Sequence, residues 1–218
     1  MNTKIAVIFD MNGVIIDDAK YHDKAWFAFC DKYNISISIE EMKKNIHGKM
    51  NKDIFPHLFG RPLNIETLSL YEAEKEGLYR ELYKPDLKAT SGFMDFIEDL
   101  KRNNVKMAIA TSSYPENANF VLEGLEIKDL FDAVIDSSQV IKGKPNPEIF
   151  LTAAAAINAP TQICVGFEDS LSGLAALNAA KIKAVGVASN HSIEELTPHS
   201  KYVIKDFRGL TYKTLLSI

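Results

Sequence analysis

The chain has 218 residues, a formal net charge of −4, 46% hydrophobic and 25% charged residues, the balance of one large globular domain or a core with a modest second module. No dense Lys/Arg block or aromatic–basic alternation is present, which argues against a nucleic-acid partner. No apolar run approaches the ~20 residues that cross a bilayer, so no membrane partner is expected.

In chain order, Ile5–Phe9 reads as a buried strand that stops on Asp10 and turns through Met11, Asn12 and Gly13. It reads as a strand and not a signal peptide, because Asp10 interrupts the apolar run and no small-residue cleavage site follows. Helices are predicted over Asp18–Asn34, with Trp26, Phe27, Phe29, Cys30 and Tyr33 as its apolar face, then Glu40–Asn45, Asn51–Leu58 and Ile65–Tyr83. With no strand among them, they form a four-helix module inserted after the first strand. The return passes through YKPDLKATSG, where Pro85 and Gly92 suit a hinge.

From residue 91 onward strands and helices alternate. Helices are predicted at Gly92–Arg102 (apolar face Phe93, Phe96, Ile97, Leu100), Pro147–Ile157 and Ser170–Ala180. Strands are predicted at Met107–Ala110, Ala133–Ile135, Ile163–Val165 and Ala184–Val187, each short and apolar as in a parallel sheet covered on both faces. The fold class is α/β: a Rossmann-like parallel sheet with right-handed crossovers, its core in residues 1–16 and 89–218 and the helical insert in 17–88.

In open parallel sheets, ligands sit beyond the carboxyl ends of the strands. Just past strand one come Asp10, Met11, Asn12 and Gly13; past strand two, Thr111, Ser112 and Ser113. A short loop after strand three brings Lys144 in KGKPNP, and strand four is followed by Glu168 and Asp169 in GFEDS. Singly, each has an ordinary explanation: Asp169-Ser170 can cap a helix, and Lys144 can be a solvated turn residue. All four in this order, each at a strand end, point to one site.

These stretches, FDMNGVIID, AIATSS, GKPNPEIF and GFEDSLSGLAALNAA, with YHDKAW at 21–26, resemble the haloacid dehalogenase (HAD) superfamily. The resemblance is to its branch of β-phosphoglucomutases and small sugar-phosphate phosphatases with a helical cap after strand one, and it spans nearly the whole chain. It implies a cap in residues 17–88 and Asp10 as a nucleophile that forms an aspartyl-phosphate. It also implies Mg²⁺ held by Asp10, Asp169 and the backbone carbonyl of Asn12, with Glu168 close by and acting through water. Lys144 would add positive charge against Asp10 and the phosphoryl oxygens. Thr111, with backbone N–H groups near Met11 and Ser112, would cradle the phosphate. The implied partner is a small phosphorylated metabolite.

The family's active phosphotransferases usually carry aspartate where this chain has Asn12. An amide cannot exchange a proton in this pH range, and losing a general acid–base costs ~10²–10⁴-fold in rate. Three readings follow. An aspartate has been exchanged for asparagine to hold substrate; or the asparagine is native in a slow enzyme, or one whose leaving group needs no protonation; or the chain binds a phospho-ligand without turnover. Dehalogenase-like attack on carbon ranks below these, since it has no use for the Glu168-Asp169 pair.

In the cap, IHGKMNKDIF (46–55) resembles a specificity loop, with Gly48 allowing close backbone approach and Lys49 and Lys52 as candidates to meet a second anion. His22 matches a histidine that touches the general acid–base in β-phosphoglucomutases. Two departures weaken the mutase case. Those enzymes have an arginine about where Asn51 stands, and Ser-Lys-Asn where this chain has Ser113 followed by Tyr114, Pro115 and Glu116. Ser113 survives and the basic residue does not. Cys30 and Cys164 read as buried free thiols of a reducing, cytoplasmic compartment, and the expected state is a monomer.

Overall fold

The apolar runs align as one parallel sheet in the computed structural model, which describes residues 5–46 and 51–218. Its strands are β1 (Ala6–Phe9), β2 (Lys106–Ala110), β3 (Ala133–Ile135), β4 (Cys164–Glu168), β5 (Lys183–Val187) and β6 (Tyr202–Ile204), in the order β3-β2-β1-β4-β5-β6. Every adjacent pair is parallel. β1 lies at the centre, with Phe9 opposite Ile109 on one side and Phe167 on the other. From β1 the chain builds outward to β2 and β3, then returns across to β4, so the order reverses beside β1. Such a switch point opens a crevice at the carboxyl ends of the strands.

Two expectations need correction. The predicted fourth strand stops at Val165, but β4 runs to Glu168, which pairs with Gly186 of β5. The glycine and the acid in Gly166-Phe167-Glu168 hide a strand whose carboxylate is paired inside the protein. β6 has no counterpart among the predicted strands: three residues between Lys201 and Lys205 are too few for a pattern to show.

The chain divides into two compact units, residues 1–17 with 87–218, and residues 18–86. The second unit is helical: α1 (Ala19–Lys32), α2 (Ile39–Glu41), α3 (Asn51–Phe59) and α4 (Ile65–Tyr83). The predicted helix at Glu40–Asn45 is α2, opened by a Ser38–Glu41 capping box, followed by a π-helical turn over Met42–Ile46. Trp26, Phe29, Met42, Ile46, Ile54 and Phe55 form the core of this unit. A buried polar chain runs beside it. Tyr79 donates to Asp18 Oδ2 at 2.6 Å, His22 stacks on the Tyr79 ring, and Lys75 Nζ lies 2.9 Å from both His22 Nδ1 and Glu76 Oε1. Burial pulls the Lys75 ammonium below its usual range, and Glu76 opposes the shift.

In the first unit, α5 (Phe93–Arg102), α6 (Pro115–Gly124), α7 (Glu148–Ala156) and α8 (Leu171–Ala179) cover the sheet, with α9 (Ile193–Leu196) and α10 (Tyr212–Leu215) near the end. Alternation along the strands separates two packing layers. Ala6, Ile8, Ala108 and Ala110 pack with the small residues Ala153, Ala154 and Ala176 of α7 and α8. Phe9 meets the rings of Phe93, Phe167 and Phe207 at 5.2–6.2 Å between centroids. Edge-to-face and offset ring pairs of this kind add ~0.5–1.5 kcal/mol each beyond burial. The core therefore fixes the ends of β1 and β4 firmly. Cys30 and Cys164 are both free and buried. No described helix is long and apolar enough to cross a membrane.

Candidate active site

Asp10 is the first residue past β1, and its N–H donates to Phe167 O at 2.9 Å, continuing the β1–β4 ladder. The chain then turns tightly: the N–H groups of Val14, Ile15 and Ile16 all point at Met11 O. Gly13 has φ +74, and a β-carbon there would collide with the Asp169 carboxylate. Only glycine meets both conditions. The Ser189 hydroxyl donates to Gly13 O at 2.6 Å.

Lys144 Nζ bridges two acids, 2.6 Å from Asp10 Oδ1 and 2.7 Å from Glu168 Oε2, with its side chain only 8% exposed. The loop that carries it is held by Glu148, whose two carboxylate oxygens accept the N–H groups of Ile141 and Lys142. Glu168 Oε1 accepts from the Ser170 N–H and hydroxyl, so both of its oxygens are occupied. Ser170 also caps α8 by accepting from Gly173 N–H, and a β-carbon on Gly173 would fall on the Glu168 carboxylate. Asp169 Oδ2 accepts from the Asn190 amide at 2.7 Å. Asp10 and Asp169 thus each keep one oxygen that no described side chain engages.

The three acids offer oxygens within 4.8 Å of one another, and all three residues are buried. Burial pushes the Asp10 carboxyl up to about 7, with Lys144 opposing and Glu168 adding to the shift. Burial, then Glu168 and Asp10, push Asp169 up to about 8 against the Asn190 hydrogen bond. Burial works against the Lys144 ammonium, but the two carboxylates outweigh it and hold the amine charged well above its usual range.

Three ionised carboxylates facing one ammonium leave an excess of two negative charges in a low-dielectric site, which is costly unless balanced. The donors are hard oxygens. Charge and donor type both fit a divalent cation of the Mg²⁺ or Ca²⁺ type. Asp10 and Asp169, each with one oxygen that no described side chain engages, are better placed to reach it than Glu168, whose two oxygens both have side-chain or backbone partners.

Around this cluster, Ser113 donates its hydroxyl to Asn12 Oδ1 at 2.6 Å, and Ser113 N–H donates to the Thr111 hydroxyl at 3.1 Å. Thr111 and Met11 are fully buried; Ser112 is exposed. Asp10, Asn12, Thr111, Ser113, Lys144, Glu168 and Asp169 therefore gather at one sheet end. His22 belongs to the helical unit, where Asp18 and Lys75 flank it. Lys52 is exposed on α3. Gly48 and Lys49 lie outside the described residues. Sequence reasoning missed Ser189 and Asn190; extending the search of strand ends to β5 would have reached them. It also missed Lys75, a buried charge in a helix that reads as solvated.

A sequence profile of haloacid dehalogenase-like hydrolases matches residues 6–181. The chain belongs to that family. Among its HAD relatives, β-phosphoglucomutase of Bacillus subtilis is 34% identical over 191 residues, covering 84% of this chain and 82% of that one. A phosphorylated carbohydrates phosphatase of Thermotoga maritima is 31% identical over 201 residues, 87% of each chain. A HAD hydrolase of family IA, variant 3, from Entamoeba histolytica shares the fold with a TM-score of 0.90 at 28% identity, over 98% of both chains. The chain is thus a HAD hydrolase of the β-phosphoglucomutase-like branch.

Proposed function

We propose that this HAD chain is a Mg²⁺-dependent phosphatase of a small phosphate ester, of the sugar-phosphate kind. The observation that carries the reading is Lys144 bridging Asp10 and Glu168 beside Asp169. Asp10 attacks phosphorus, the bond to the leaving oxygen breaks, and the phosphoryl group rests on Asp10 as a mixed anhydride. Water then attacks that phosphorus, returns the carboxylate and releases inorganic phosphate.

Asp10, Asp169 and the Asn12 carbonyl would hold Mg²⁺, which would offset repulsion between carboxylate and phosphate. Lys144 opposes the effect of burial by favouring the ionised form of Asp10, and faces the phosphoryl oxygens. Glu168, engaged by Ser170 and Lys144, holds the lysine in place and would add negative charge beside a bound cation. Thr111, Ser112 and the backbone at Met11 receive the phosphate. Asn12 can orient a leaving oxygen by hydrogen bonding but can neither give nor take its proton, so turnover is slow. The helical unit selects the substrate, with His22, Gly48, Lys49 and Lys52 as its candidate contacts.

The relatives include both a phosphatase and a phosphomutase, which keeps a second reading in view. A mutase must hold a bisphosphate in two orientations, and Ser113-Tyr114-Pro115-Glu116 keeps the serine but carries no basic residue for the distal phosphate. Hydrolysis is therefore the reading we adopt. A phosphate-release screen of the Asn12→Asp form over sugar phosphates, nucleotides and pyrophosphate tests it. Phosphate freed without added bisphosphate supports the hydrolase; isomerised sugar phosphate supports the mutase; saturable binding with neither product supports a silent binder.

A further inference from the structure

We propose that Ser189 and Asn190 are positioning residues for the cation site, a bracket that fixes the Asp169 carboxylate and the turn after Asp10 relative to each other. The inference rests on the cation reading above and adds two residues to it. Asn190 donates its amide to Asp169 Oδ2 at 2.7 Å, and Ser189 donates its hydroxyl to Gly13 O at 2.6 Å. Consecutive residues of one loop thus hold both components. Gly13 sits directly against Asp169 Oδ2, and Asn190 Nδ2 also occupies the space a side chain there would need. The turn, the acid and the bracket form one packed unit.

Both bracket residues are exposed, yet their loop is anchored. Ala188 N–H donates to Ile204 O of β6, Ser189 N–H to Val187 O, and Ser192 begins α9 with a capping box to Glu195. The amide is therefore presented by a fixed backbone. With Oδ2 held, the carboxylate cannot rotate freely, and Oδ1, which no described residue hydrogen-bonds, is the oxygen left for a cation. Groups that hold metal ligands in this way typically change affinity by ~10–100-fold when removed.

The test is calorimetric titration of the full chain with MgCl₂ alone, beside thermal unfolding without metal. Asn190→Ala is expected to bind Mg²⁺ about tenfold or more weakly, with only a small change in its metal-free unfolding midpoint, because its loop is anchored through Ala188 and Ser192 and Asp169 can relax by taking up a proton. Ser189→Ala is expected to shift affinity in the same direction by less. Asn190→Ala binding as tightly as the parent would overturn the bracket while leaving the cation site standing. A parent chain that takes up no Mg²⁺ would overturn the cation reading, and the bracket with it.

Discussion

The hydroxyl of Ser113 lies 2.6 Å from Oδ1 of Asn12. A hydroxyl donates equally well to a carboxylate, and the bond becomes stronger when the acceptor is charged. Asn12→Asp therefore keeps this bond and supplies a group that can exchange a proton. Phosphate-ester hydrolysis with Mg²⁺ is expected to rise by ~10²–10⁴-fold, read as the rate of phosphate release. Equal rates for both forms on every phosphorylated substrate would remove the acid–base account of position 12.

Asp10→Ala is expected to abolish turnover in both the parent and the Asn12→Asp background, because the lysine, hydroxyl and remaining acids cannot replace the attacking oxygen. In the parent, slow proton supply should not prevent acyl-phosphate chemistry at Asp10. Acid quenching followed by peptide mapping is expected to find phosphoryl label on the peptide that contains it. Label on another peptide, or activity surviving in Asp10→Ala, would mean that a different residue attacks.

The residues most readable from sequence were those whose position the sheet itself dictates. Asp10, Thr111, Glu168 and Asp169 lie at strand ends, and a parallel sheet carries all such ends to one side. Lys144 was legible for a different reason, its place in GKPNPEIF. Asn190 also lies just past a strand end, that of β5, but one exposed amide in ASNHS carries no sign of its partner, a carboxylate 21 residues earlier. Lys75 was hidden more thoroughly. In YEAEKEGLYREL it reads as a solvated charge, and its burial is made tolerable by neighbouring Glu76 together with His22 and Asp18, which the fold brings to it. Local pattern reveals elements, whereas polar satisfaction is a property of the assembled fold.

The metal-free chain should lose stability as pH rises. Burial and mutual repulsion put Asp10 near 7 and Asp169 near 8 in the fold, against a reference of 3.8 for each. Between those limits the folded state holds more protons than the unfolded chain, so the slope of unfolding free energy with pH is negative. This contribution is fully present below about pH 4 and is gone once pH passes the folded values, near 7 to 8. Mg²⁺ competes with those protons, and its stabilisation should therefore grow over the same range. Unfolding midpoints at pH 5.5 and 8, with and without MgCl₂, would show this; a Mg²⁺ increment independent of pH would contradict it.

Tyr79→Phe is expected to destabilise the helical unit. The phenol donates to Asp18 Oδ2 at 2.6 Å in a buried setting, and its loss leaves a desolvated carboxylate short of a donor, a cost of about 1–3 kcal/mol. Urea unfolding is the measurement. An unchanged midpoint would mean that water, or the neighbouring His22, compensates fully.

Lys144→Ala separates the structural role of the lysine from its chemical one. Removing it leaves three neighbouring acids without their buried counter-charge, and breaking such a pair costs about 3–5 kcal/mol when the partner cannot escape. Here the partners can relax by taking up protons, so the cost should be small at pH 5.5 and approach that range at pH 8. Saturating Mg²⁺ would supply the missing charge and recover part of the stability, but not the turnover, because the phosphoryl oxygens would still lack the ammonium. Stability regained with Mg²⁺ while phosphate release in the Asn12→Asp background stays at least ~10²-fold down is the expected pair of results. Full recovery of both would reduce Lys144 to a charge balance for its neighbours.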